Sequence, residues 1–137
     1  MPSPRKHTGH VYGYRAWRVL GDKLYSLGGS ARPWPVDKPK TAICWRNFTP
    51  WAHGPAPVWE HKCGIYAWKD LPKTEYSPQG MKPVWGIVEL TGKVIVHSEG
   101  YRAQYAQPVA IAYSEGAEAV AQRYGLVVMS DLTEWRG

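Results

Sequence analysis

Four residues within one twenty-residue window, Cys44, His53, His61 and Cys63, are of the types that bind zinc tetrahedrally. Two thiolates and two imidazoles form a closed ligand set, so a metal held there would be structural rather than catalytic. It would join the end of a strand at Cys44 to Cys63, at the start of a short helix in CGIYAWKDL, and fix the Pro-rich loop between them. The spacing is not a standard one. His61-x-Cys63 is tighter than the usual gap of two to four residues, and no second knuckle matches it. Cys44 as a small buried hydrophobe with Cys63 a free thiol is therefore the competing reading. A Cys44–Cys63 disulfide would require an oxidising compartment.

Two further constellations carry charge and aromatic surface. Tyr12, Tyr14, Arg15, Trp17 and Arg18 make an aromatic, basic strand, with Arg5 and Lys6 ahead of it. Strand alternation puts Arg15, Trp17 and Val19 on one face and Tyr14, Ala16 and Arg18 on the other. Around a turn at Glu99-Gly100, His97, Tyr101, Arg102 and Tyr105 bring together an imidazole, two phenols and a guanidinium. Such surfaces bind single-stranded nucleic acid, with stacking for bases and charge for phosphates. Arg15, Trp17, Arg18, Tyr101, Arg102 and Tyr105 are thus the candidate nucleic-acid or partner contacts. The competing role for Arg102 is structural, pairing with Glu99 or with turn carbonyls.

No pattern specifies an enzyme. The chain has no Gly-rich phosphate loop, no Gly-x-Ser-x-Gly and no helical His-Glu-x-x-His. Between Lys38 and Lys82 the acids are Glu60, Asp70 and Glu75, too few for an acidic metal cluster. His97 with Glu99 is the nearest approach to an acid–base pair. No catalytic residue is assigned.

The elements that must position these groups read as mainly β. A chain of 137 residues suits a single domain, here expected over 11–137 behind a loose basic arm at 1–10. YGYRAWRVL and LYSL flank Gly21-Asp22 as a hairpin. A loop over 28–40 and a strand at 41–46 follow, and residues 47–83 hold six of the twelve prolines. VWGIVEL and KVIVHS flank Thr91-Gly92 as a second hairpin, and YRAQYA and PVAIAY are two extended segments. Ser114 is the expected N-cap of a helix over EGAEAVAQRY, with Ala117, Val120, Ala121 and Tyr124 on its apolar face. Gly125 ends it, and LVVM is a last strand. The expected fold is mainly β (α+β), a small barrel or strongly bent antiparallel sheet with one C-terminal helix and a Pro/Trp-rich loop region.

Composition points the same way. Eight Trp and nine Tyr against one Phe give nearly every aromatic ring a polar handle. The net charge is +6, and residues 1–82 carry 13 Lys/Arg against five Asp/Glu. A basic half of this kind suits a polyanionic partner. No apolar run is long enough for a membrane span and no signal peptide is evident, so a cytoplasmic protein is expected.

YRAWRV, LYSL, Trp34-Pro35, Ala42-x-Cys44, 53–57 (HGPAP), CGIYA, VWGIVELTGKVIVH and GYRAQYAQP together resemble an uncharacterised family of small proteins from actinobacteria and their bacteriophages. The resemblance spans about residues 11–130, with CGIYA and GYRA its most specific pieces. It implies a Cys…His…Cys-x-Cys pattern in which His61 replaces one thiolate ligand by an imidazole, and so favours structural zinc. It implies no activity. The function expected is a small non-enzymatic binding module that contacts nucleic acid through its basic aromatic N-terminal half. The alternative is a phage-encoded or phage-related protein that binds a host protein through the Trp-rich loop at 34–68 and modulates or inhibits host growth.

Overall fold

The computed structural model describes residues 11–27, 32–43, 45–46, 49–50, 56–57, 63–72 and 83–137. Strands β1 (Val11–Leu20) and β2 (Lys23–Ser26) form the expected hairpin, with Leu20 opposite Lys23 across Gly21-Asp22. The single strand expected over 41–46 is instead two pieces. β3 (Lys40–Thr41) joins the main sheet, and β4 (Trp45–Arg46) pairs with β5 (Thr49–Pro50) in a separate one. β6 (Ile65–Trp68) occupies the place of the short helix expected after Cys63. Its residues alternate buried and exposed, so Ile65 and Ala67 face inward and Tyr66 and Trp68 outward.

The second half is built on two long strands, β7 (Val84–Val96) and β8 (Gly100–Ala112). The hairpin expected at Thr91-Gly92 is not there. Gly92, at φ 72°, lies inside β7 where the register against β8 shifts between Thr91 and Val94. A left-handed glycine serves a bulge as well as a turn, and here it bends one continuous strand. The Gln104 side chain fills the irregularity, its Oε1 accepting from the Lys93 backbone N–H at 3.0 Å. Pro108 likewise interrupts nothing, because it sits at the second register shift, opposite Val88. The actual hairpin turn is at 97–99, closed by the His97 N–H donating to the Gly100 carbonyl at 2.8 Å.

β7 lies between β1 and β8 and is antiparallel to both. The other edge of β8 takes β6, then β3, then β9 (Val127–Met129), which alone runs parallel to it. β6 reaches back to β1 through a single pairing, Tyr14 with Trp68. The strands therefore nearly encircle the core, in a strongly bent antiparallel sheet rather than a regular barrel. Gly13 permits this approach, since a Cβ there would lie 2.7 Å from the Ala67 Cβ.

The main core holds Trp17, Leu24, Trp34, Val88, Leu90, Val94 and Ile111. Helix α1 (Ala117–Tyr124) covers it with Ala117, Val120, Ala121 and Tyr124, the face expected from their spacing. Its N-cap is Gly116 rather than Ser114, whose backbone carbonyl accepts from the Ala117 N–H at 3.0 Å. Gly125 is the left-handed C-cap. The Tyr124 hydroxyl accepts from the Leu24 N–H at 3.0 Å and donates to the Trp34 carbonyl at 2.9 Å. These bonds tie helix, hairpin and loop together inside the core. Tyr124→Phe leaves both backbone groups without that partner, and urea unfolding should show a loss of about 1–3 kcal/mol.

Ile87 and Val88 are adjacent in β7 and so face opposite sides of the sheet. Val88 belongs to the main core, while Ile87 joins Ala110 and Leu132 in a second, smaller cluster. Tyr12, Tyr14, Trp85 and Trp135 pack around that cluster. After a 3-10 turn at Leu132–Glu134, the chain brings Trp135 against Tyr12, ring centroids 5.6 Å apart at 65°.

Candidate functional site

The sheet fails to close over residues 11–13. There β1 pairs with β7 along one edge, and β6 first meets its other edge at Tyr14. A cleft of about 830 Å³ opens at this gap. Tyr12, Tyr14, Tyr101, Lys69, Trp135 and Arg136 are among the residues that line it.

Each side chain is held by a definable contact. The Lys69 ammonium lies 5.7 Å from the Tyr101 ring centroid, and the Lys69 N–H donates to the Glu99 carbonyl at 3.0 Å. The Tyr12 hydroxyl donates to Glu89 Oε2 at 3.2 Å. Burial, then the bond to Glu89 and its charge, raise the Tyr12 pKa above the usual phenol value. Burial and the charge of Asp70 do the same for Tyr101. Both phenols therefore stay neutral near pH 7 and act through their rings and hydroxyls. Arg136 Nη1 donates to its own segment, to the Thr133 carbonyl at 3.3 Å and the Trp135 carbonyl at 3.1 Å. The Trp135 indole N–H is buried without a hydrogen-bond partner among the described residues.

The candidate contacts from the sequence divide sharply. Tyr101 lies in the cleft. Trp17 is fully buried and Arg102 is 3% exposed, so neither is presented to a partner. Arg102 Nε donates to His97 Nε2 at 3.0 Å and Nη1 to the Cys63 carbonyl at 3.1 Å, a structural use in place of a phosphate contact. Arg15 is also turned to structure. It lies 5.0 Å above the Trp34 ring and donates to the Tyr66 carbonyl at 2.6 Å and to Ser26 Oγ at 3.3 Å. Burial lowers its pKa to about 10, which leaves it charged at neutral pH. Arg18 Nε donates to the Ser26 carbonyl at 3.2 Å, with the guanidinium 5.4 Å above Tyr25. Tyr105 is half-buried away from the cleft, its hydroxyl accepting from Gln104 Nε2 at 3.2 Å.

Cys44, His53 and His61 lie outside the described residues. Cys63 is half-buried, and among the described residues no three His, Cys, Asp or Glu side chains converge. Also among the described residues, no helix is long and apolar enough to cross a membrane.

Tyr12 and Tyr14 belong to the aromatic strand singled out in the sequence, but Lys69, Trp135 and Arg136 are new to the site. The one advance signal for the last two is a Trp-Arg pair after the final strand, with no periodicity to place it. The assembled cleft offers four aromatic rings and two cations, groups suited to stacking and to anion contact. No family model, curated protein or solved structure matches the chain, so the functional reading stands on its own residues.

Proposed function

We propose that this protein is a non-enzymatic binding module that holds single-stranded nucleic acid in the cleft between β1 and β6. The observation that carries the reading is the clustering of Tyr12, Tyr14, Tyr101 and Trp135 with Lys69 and Arg136 around one opening. Aromatic faces stack on any base, and flanking cations follow the phosphates. The net charge of +6 supplies long-range attraction for a polyanion.

Fluorescence anisotropy with single-stranded DNA, duplex DNA and RNA tests it. Single strands should bind best, and Tyr14→Ala should weaken binding by about 1–3 kcal/mol. Two phosphate contacts, from Lys69 and Arg136, set a slope of about −1.4 in log affinity against log salt. Affinity should thus fall roughly sevenfold between about 50 and 200 mM salt, and Lys69→Ala should make the slope shallower by about 0.7. Absence of binding at low salt would reject the reading.

A second reading, a phage-related protein that binds a host protein and modulates or inhibits host growth, draws on the exposed Tyr66 and Trp68 at the end of the Trp-rich stretch. Trp34 does not contribute to it, being buried in the core. A single co-purifying protein, lost on Trp68→Ala, would favour this reading over the first.

A further inference from the structure

We propose that the stacking surface continues from the cleft across β6 onto Trp68 and Tyr66, forming a second subsite for a single strand of four or more nucleotides. The inference rests on the reading of the cleft given above. Its first support is the register. Trp68 pairs directly with Tyr14, and directly opposed residues present their side chains on one face of a sheet. Tyr12 shares that face with Tyr14, and Tyr66 shares it with Trp68, because side chains alternate along a strand.

The second support is exposure. Tyr66 and Trp68 are 49% and 45% exposed, while Ile65 and Ala67 between and beside them are 5% exposed. About half of the surface of each of these two outward residues is thus left open to solvent. The third is placement. The Tyr66 carbonyl is pinned by Arg15 Nη1 at 2.6 Å, and Lys69, next to Trp68 in the chain, lines the cleft. Trp68 thus stands opposite one cleft residue, Tyr14, across the sheet and beside another, Lys69, along the chain.

The spacing selects the ligand. Residues two apart on a strand are separated by about 7 Å, and directly paired residues by roughly 5 Å. Both exceed the spacing of about 3.4 Å between successive nucleotides in a duplex strand. Bases seated on Tyr12, Tyr14, Trp68 and Tyr66 must therefore leave one another and stack on the protein. A duplex cannot do this without opening, and a single strand can.

Anisotropy titrations with oligothymidylates of three and six nucleotides provide the test, on wild type, Trp68→Ala, Trp68→Tyr and Tyr14→Ala. Trp68→Ala should weaken the hexamer at least about fivefold and leave the trimer unchanged, while Trp68→Tyr restores most of the hexamer affinity. Tyr14→Ala should weaken both lengths. Full hexamer affinity in Trp68→Ala overturns the second subsite and leaves the cleft standing. Failure of either oligomer to bind wild type, or an unaffected Tyr14→Ala, overturns the cleft reading and this extension with it.

Discussion

Trp17→Ala is expected to be the most damaging single truncation of the core, with a loss of about 3–5 kcal/mol in urea unfolding. Trp17 has no exposed surface and stands at the centre of the main core, where its ring meets Trp34 edge-on at 5.5 Å and 88°. Trp34 is itself fixed by its indole N–H, which donates to Ser26 Oγ at 2.9 Å, and by two cations over its ring. These are Arg15 at 5.0 Å and Lys40 at 5.6 Å. Removing Trp17 opens a cavity on which the hairpin and the loop segment carrying Trp34 both rest. Gly86 fits the same space, since a Cβ there would lie 2.5 Å from Trp17 Cζ3. Trp17→Phe should cost clearly less than Trp17→Ala. Phenylalanine keeps much of the volume and removes an indole N–H that is buried without a partner among the described residues. Equal losses for the two substitutions would show that the site collapses freely and that Trp17 does not organise the core.

The parts of the fold that could be read from the sequence are those whose signals are local. The first hairpin is fixed by Gly21-Asp22, and helix α1 by the spacing of Ala117, Val120, Ala121 and Tyr124 and the stop at Gly125. The alternation expected in β1 also holds. Arg15 and Trp17 both pack on Trp34, and Tyr14 points to the other cluster. Alternation names the residues on each face but not which face lies toward partner or core, and this is why Trp17 and Arg15 stood among the candidate contacts. Gly92 and Pro108 misled because a bulge and a turn use the same residues. Only the pairing of β7 with β8 decides between them. CGIYA carries no helix stop or start that would separate it from a four-residue strand, and the pairing partners of β6 are 32 or more residues distant.

The cleft was less legible because it is made by an omission in the sheet. Its walls come from the start of β1, the residue after β6, the start of β8 and the segment after the 3-10 turn. These pieces are brought together by the single Tyr14–Trp68 pairing, which depends on the close approach of Gly13 to Ala67. No spacing rule connects Tyr12 with Trp135, or Lys69 with Tyr101. What the composition did indicate was the kind of surface, since Tyr and Trp suit places where one edge packs and the other meets a ligand.

Arg102→Ala should destabilise the fold by about 2–4 kcal/mol, and it should do so with a pH signature. The guanidinium is almost wholly buried, spanning from His97 at the β7–β8 turn to the Cys63 carbonyl ahead of β6. Because Nε donates to His97 Nε2, that nitrogen must carry a lone pair, so His97 is neutral with its proton on Nδ1. Burial first, and then the charges of Arg102 and Lys69, hold the His97 pKa below its ordinary value of 6.5. A histidine depressed in this way contributes stability that is fully present above about pH 6.5. That contribution is lost as the pH falls through the lower folded value, where protonation would set two cations against each other. Wild-type stability should accordingly decline on acidification below about pH 6.5, and His97→Gln should flatten part of the decline while keeping a group able to accept from Arg102. In Arg102→Ala the His97 pKa should move back toward 6.5, measurable from its imidazole proton shifts. An Arg102→Ala variant that melts like wild type but no longer binds single strands would contradict the structural role. It would place the guanidinium at the ligand instead.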